Sequence, residues 1–310
     1  MDIEDIARAA QLASALEVSG YPKPGNVHRT ADLEEMTFEH FIASSIAIGP
    51  VLLDVAKKGF RVGKGEIKTA DIGVGVAIKN AIENTMKWQR NGNTNLGIVL
   101  LLTPLAAAAG ITLAKEGEIE MKKLRASLSN VLRSTTHEDA LNVYDAILTA
   151  NPEGLGRVDE LDLKNVASKK RIKEERISLY EIMDISSGWD NISKEWVTDM
   201  RITFEFGYPL VKKFYERTKN MNTTTVQSFL EMLSKYPDTY VQRIHGKKIA
   251  EKVSEKARAI IEKGGMLTSA GRVLITKFDD ELRKKDINPG TTADLTASSL
   301  MLAILDGLRP

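Results

Sequence analysis

The amino-acid sequence predicts an all-α fold on two observations. Apolar residues recur at helical spacing along most of the chain, and two-residue alternation bounded by turn signals is nearly absent. With 310 residues and 43% apolar content there is ample material for a sizeable core. The expected architecture is a compact multi-helix single domain over residues 1–310, with a ligand site formed by interhelical loops.

The elements follow in chain order. Ile3, Ile6, Ala7, Ala10, Leu12, Ala13 and Leu16 make an apolar stripe that Gly20 stops. Thr37 can cap a second helix through Phe41, Ile42, Ile46 and Ala47, and Asp71 a third through Ile72, Val76, Ile82 and Met86. The close glycines of IGVGVAIKN lie inside that pattern and are read as allowing close helix packing. Asn95 precedes a strongly apolar helix reaching Leu113. Periodic segments then lie near 119–132, 136–149, 190–217, 223–235, 240–263, 267–284 and 291–308. Residues 151–176 break the pattern: they are polar, glycine-bearing and highly charged. They read as a linker or as a surface excursion, with Lys169, Lys170, Arg171 and Lys173 on a solvated face.

Composition narrows the function. The 43 basic and 42 acidic residues leave a net charge of +1, which argues against a strongly basic nucleic-acid binder. The absence of cysteine excludes disulfides, cysteine-held zinc and thiol nucleophiles, and fits a cytoplasmic protein. Asp2, Glu4 and Asp5 stand where a signal peptide would carry positive charge. The apolar run Ile98–Ala109 contains Thr103 and Pro104 and reads as too short for a bilayer, so no membrane partner is expected.

The chemistry-bearing residues collect in loops. In YPKPGNVHRT, residues 21–30, Pro22 and Pro24 stiffen a segment that carries Lys23, Asn26, His28 and Arg29. Lys23 and Arg29 suit phosphate, and His28 suits proton transfer or hydrogen bonding. A rigid turn with solvated charges is the alternative. In NGNTNLG, residues 91–97, Asn93, Thr94 and Asn95 precede a helix N-terminus and suit an anion or a sugar hydroxyl. In YPDTYVQRIHG, residues 236–246, Asp238 can cap a helix on which Gln242 and His245 share its face and Arg243 lies beside it. In NPGTTADLTASSL, residues 288–300, Gly290 turns the chain and Thr291 or Thr292 caps the last helix. There Asp294 either complements the helix dipole or holds a metal beside a phosphate. No P-loop and no HExxH is present, and the four histidines are scattered, so Mg²⁺ with oxygen ligands is the better metal.

Together these segments resemble the triphosphoribosyl-dephospho-CoA synthases. The resemblance rests on Glu17-Val18 followed by PKPG, on Glu35-Met36, on GNTNLG, on TTHEDA at 135–140, on Asp238-Thr239-Tyr240 with Arg243, and on PGTTADLTA at 289–297. It spans residues 17 to 305. It implies transfer of the triphosphoribosyl group of ATP to the 2′-hydroxyl of dephospho-CoA, with release of adenine. It further implies Lys23, Asn26, Arg29, Asn93, Thr94, Asn95, Arg243, Gly290, Thr291 and Thr292 as nucleotide contacts. Glu35, Asp238 and Asp294 would serve as metal ligands or base, with His28 added to the catalytic group.

Three departures from the family pattern look like its archaeal branch. His28 stands where the pattern has an aspartate, Asn95 and Leu96 replace a His-Lys pair, and a GAH ahead of Glu35-Met36 is missing. A related acceptor, such as a pterin cofactor precursor, is then a second candidate. Other readings of the same loops are an ATP-dependent phosphotransferase, a nucleotide N-glycosidase, and a non-catalytic nucleotide-binding protein. Expected partners are ATP and the acceptor, with a homo-oligomer allowed. Replacing Lys23 or Asp294 is expected to abolish turnover with little change in melting temperature.

Overall fold

A computed structural model of the chain describes residues 1–89, 91–154 and 160–310. The regular secondary structure of the described residues is helical. The one β feature among them is an isolated antiparallel bridge between His28 and Ala31. They divide into two compact units. The first comprises Met1–Leu12 and Ala43–Arg201, the second Ala13–Ile42 and Ile202–Pro310. The division falls within helix α1 (Ile3–Ser19) and within α2 (Phe38–Ala47).

The first unit is built around α5 (Leu96–Glu116). This helix extends beyond the apolar run seen in the sequence and is long and apolar enough to cross a membrane, but nearly all of it is buried within the protein. Its closest neighbour is α3 (Gly49–Gly63), a helix that the sequence pattern had not revealed. The reason is its glycines. A Cβ on Gly59 would lie 2.1 Å from the Ala107 carbonyl oxygen, and one on Gly110 would lie 2.1 Å from that of Ala56. The glycines that weaken helix propensity let the two backbones touch, and packing outweighs a cost of about 1 kcal/mol each.

Helix α4 (Val74–Trp88) packs on α7 (His137–Ala150) by the same device, because Gly75 lies against the Asp139 backbone and donates its N–H to Asp139 Oδ1 at 2.7 Å. Asp71 closes a short 3-10 turn, Thr69–Ile72, rather than opening α4, which starts after left-handed Gly73. Helix α6 (Met121–Arg133) packs on α5, and Thr112 donates to Ser127 at 3.1 Å.

The polar interval 151–176 contains a helix, α8 (Val166–Glu175), started by Asn165. It packs on α7, with Ile172 fully buried, while Lys169 and Lys79 bracket Asp145 at 2.7 and 2.8 Å. The Tyr144 hydroxyl donates to the Leu161 carbonyl at 2.6 Å. The described part of the interval is therefore a strap on its own unit. Residues 155–159 lie outside the described residues. Helices α9 (Leu179–Ser186) and α10 (Asn191–Val197) complete the unit, and buried Trp196 donates to the Leu100 carbonyl at 3.1 Å.

The expected segment 190–217 is interrupted just before the second unit resumes at Ile202. Asp199 and Met200 take positive φ, and a π-turn at Thr203–Gly207 leads into α11 (Tyr208–Thr218). Gly246, at φ 86°, likewise divides 240–263 into α13 (Thr239–His245) and α14 (Lys247–Glu262). With α12 (Met221–Lys235) and α15 (Ser269–Lys284) these enclose an apolar core containing Phe229, Leu233, Val253 and Phe278. The last helix, α16 (Gly290–Leu305), is almost wholly buried.

Candidate active site

Loop 20–36, the start of α13, the end of α15 and the start of α16 meet in the second unit. Three of the four loops singled out in the sequence belong to it.

Loop 20–36 is held from both sides. Asn222 at the start of α12 accepts the Tyr21 N–H at 2.8 Å and donates to the Tyr21 carbonyl at 2.6 Å. Arg29 is exposed, but its Nε donates to the Ser19 carbonyl at 2.8 Å and its Nη2 donates to Asn222. Gly25 has φ 72°, and a Cβ there would lie 2.2 Å from the Ile287 carbonyl oxygen, so only glycine fits. Asn26 donates to Asn288 Oδ1 at 2.8 Å.

Lys23 and His28 are not where a loop exposed to solvent would put them. Lys23 is fully buried, and its ammonium donates to the Glu17 carboxylate and, at 3.0 Å, to the Glu17 carbonyl. Burial pulls its pKa below the usual lysine value, against the Glu17 charge that raises it. Asp294 adds a further attraction and Arg283 a repulsion. His28 is also buried, with Nε2 2.9 Å from Asp279 Oδ2 and Nδ1 3.2 Å from the Thr30 hydroxyl. Both ring nitrogens have protein partners, which suits holding the loop rather than moving a proton.

Asp238 caps two helices at once. Its Oδ1 accepts the Val241 N–H at 2.9 Å, and its Oδ2 accepts the Thr292 N–H and hydroxyl, each at 2.7 Å. Burial raises its pKa, and the Val241 and Thr292 donors oppose that rise. Thr291 accepts the Tyr240 N–H at 3.1 Å, and the Tyr240 ring lies beside Gly290 with room for ordinary contact. Arg243 is exposed and lies 5.2 Å from the Tyr240 ring centre. Asp294 is half-buried one turn into α16. His245 points to a different segment, its Nε2 lying 3.0 Å from the Asp286 carbonyl oxygen.

The carboxylates expected to hold a metal do not form one cluster. Asp238 is saturated by protein donors, and Glu35 lies exposed on the loop. Among the described residues no group of three or more His, Asp or Glu side chains is arranged to hold a metal ion.

Asn93, Thr94 and Asn95 belong to the first unit. Asn93 Oδ1 accepts the Leu96 N–H at 2.9 Å and so opens α5. The Thr94 hydroxyl is 2.6 Å from that of Ser44, and Asn95 Nδ2 donates to Thr85 at 3.1 Å. Asn95 Oδ1 is buried without a partner. In TTHEDA, Thr136 and Asp139 form a capping box at the start of α7.

Sequence reading missed Asn222, Asp279, Arg283 and Asn288, and gave Glu17 no role. In FDDELRKK, Asp279 and Arg283 look like an ordinary surface pair. A signal was present: Asp279 lies on the buried stripe of α15, with Ile275, Phe278 and Leu282. A charge on an apolar face calls for a partner.

Comparison with known proteins covers the whole chain. The family model described as ATP:dephospho-CoA triphosphoribosyl transferase matches residues 3–310. The 2-(5''-triphosphoribosyl)-3'-dephosphocoenzyme-A synthase of Klebsiella pneumoniae is 25% identical over 309 residues, spanning 98% of this chain and 91% of that protein. The protein of the same name from Escherichia fergusonii is 21% identical over 306 residues, with 98% and 91% covered. A crystal structure assigned as a triphosphoribosyl-dephospho-CoA synthase from Archaeoglobus fulgidus is 29% identical, with a TM-score of 0.66. It spans 87% of this chain and 100% of that one.

Proposed function

This chain belongs to the ATP:dephospho-CoA triphosphoribosyl transferase family, and on that premise we propose that it transfers the triphosphoribosyl group of ATP to the ribose 2′-hydroxyl of dephospho-CoA. The observation that carries the reading is the match of that family over residues 3–310. The second unit supports it, because it gathers basic, acidic and helix-start groups of the kind a triphosphate needs.

In this reaction a C1′–O bond to the acceptor forms and the C1′–N9 bond of ATP breaks. The hydroxyl proton passes to a base, and adenine leaves with the bonding electrons and takes up a proton. Charge on the triphosphate must be offset and the electron-poor C1′ shielded from water. Arg243 and Arg29 are exposed guanidinium groups suited to phosphate oxygens. Lys23 acts from beneath the loop as buried positive charge rather than as a direct ligand.

Asp294 is our candidate for the base, since Asp238 is engaged as a cap and Glu35 stands on the exposed loop. Asp294→Asn is expected to lower turnover by about 10²–10⁴-fold. Magnesium would enter with the triphosphate, held chiefly by its phosphates and water as Mg²⁺ commonly is, which keeps Asp294 for the base role. It would neutralise phosphate charge. Asn93, Thr94 and Asn95 remain candidates for neutral contacts to a nucleotide within the first unit.

The test is incubation with MgATP, with and without dephospho-CoA, followed by chromatography for adenine and mass spectrometry of the acceptor. Adenine formed only when dephospho-CoA is present, with the acceptor gaining the triphosphoribosyl mass, is the expected result. Adenine without an acceptor would mean an N-glycosidase. Modified acceptor with no free adenine would mean phosphotransfer. A panel that adds CoA, pterin and nucleotide acceptors addresses the archaeal-type departures at His28 and Asn95, and silence across that panel would overturn the reading.

A further inference from the structure

We infer that Asp279 and Arg283, one turn apart on α15, are positioning residues that set the Lys23-bearing loop for the reaction. This rests on the function proposed above. Asp279 is 5% exposed and accepts from several donors. Its Oδ1 takes the Gly25 N–H at 2.8 Å and Arg283 Nε at 3.0 Å, and its Oδ2 faces His28 Nε2 at 2.9 Å. Arg283 then spends its remaining donors on loop carbonyls. It reaches Asn26, Asp32 at 2.8 Å and Ala31 at 3.4 Å.

The pair is therefore not a helix-surface ion pair that happens to lie near the loop. The carboxylate holds the N–H side of the loop and the guanidinium holds its carbonyl side. Both ends of the His28–Ala31 bridge are included. Asp32, at the end of this grip, also accepts the Phe38 N–H at 2.8 Å and so starts α2. Gly25 brings the loop so close to the segment before α16 that an added Cβ would lie 2.2 Å from the Ile287 carbonyl oxygen. Lys23 lies two residues before Gly25. Its ammonium senses both Asp294 and Arg283, so a shift of the loop alters the charge presented beside the start of α16.

The test compares wild type with Asp279→Asn, Arg283→Ala and Arg283→Lys. Hydrogen exchange is followed at Gly25 and in α12, and steady-state adenine release is measured against ATP and against acceptor. In Asp279→Asn the Gly25 amide is expected to exchange about tenfold faster or more, while α12 is unchanged. The fall in kcat/KM for ATP is expected to be about ten- to a hundredfold, carried by KM, with acceptor KM within about twofold of wild type. Arg283→Ala should regain turnover on addition of millimolar guanidinium, a rescue that general loss of stability does not give.

If Asp279→Asn fails to fold, Arg283→Lys keeps the charge, loses the fork, and should show the same KM shift in weaker form. Unchanged Gly25 exchange and ATP KM in the folded variants would overturn the inference, as would equal acceleration of exchange in α12. Absence of adenine from the wild type would strike the proposed function instead, and the Gly25 exchange would still decide the positioning role.

Discussion

Residues 21–32 and residues 165–176 are two short polar stretches that meet opposite fates. In the first, Lys23, Asn26 and His28 are buried and bonded to groups on α1, α15 and the segment before α16. In the second, the Lys170 side chain is 75% exposed, and its Glu174 partner and the Arg171–Glu175 pair are one-turn neighbours on α8 itself. Only Ser168 and Ile172 of α8 are buried. Polarity does not decide burial. The buried polar groups are those whose partners are themselves buried, as Glu17 and Asp279 are for Lys23 and His28, whereas Lys169 of α8 meets its partner Asp145 at the surface.

The largest test of this contrast is Lys23→Ala. It leaves the Glu17 carboxylate buried without its cation, and should cost about 3–5 kcal/mol by urea unfolding. The structure thus reverses the sequence-based expectation that Lys23 could be replaced at little cost to melting temperature. The double variant Glu17→Gln/Lys23→Met should recover most of that loss, because no charge is left unpaired. If the single and double variants lose the same amount, the pair is not what holds the loop.

Asp238→Ala comes next. It strips the cap from α13 and the acceptor from Thr292, at an expected cost of about 2 kcal/mol. A subtler version uses pH. The Asp238 pKa is raised in the folded protein, so its contribution is fullest below the unfolded carboxyl value and is lost as pH rises through the raised one. The stability of wild type relative to Asp238→Asn should therefore shrink as pH rises across that window. A gap that widens instead would show that the cap bonds outweigh burial. The smallest effect belongs to α8, where Lys170→Ala should leave the unfolding midpoint unchanged within error. A measurable loss there would break the contrast from its other side.

Most of the helices were legible because their apolar stripes repeat at helical spacing, as in α1, α12 and α16. Helix α3 was not, since Gly59 and Gly63 lower its helix propensity and only packing against α5 gives them a use. The breaks at Met200 and Gly246 were hidden because the apolar period runs straight across them. Of the candidate site, the loops were legible from their proline, glycine and asparagine content. Which way their side chains point was not. Lys23 read as a phosphate contact and His28 as a group for proton transfer or hydrogen bonding, and only Glu17 and Asp279, on other elements, turn them inward. Nothing within residues 21–30 records that those partners exist.

The double cap at Asp238 has a further consequence. One carboxylate terminates α13 with one oxygen and α16 with the other, so the two helix starts cannot fray independently. Whatever pulls Thr292 away from Oδ2 also changes how firmly Oδ1 is held at Val241. A ligand arriving at the start of α16 would thus meet two ties to α13, the Asp238 carboxylate and the Thr291 hydroxyl that accepts the Tyr240 N–H. Asp238 is the charged member of the two, and its two oxygens hold the two helix starts to one side chain.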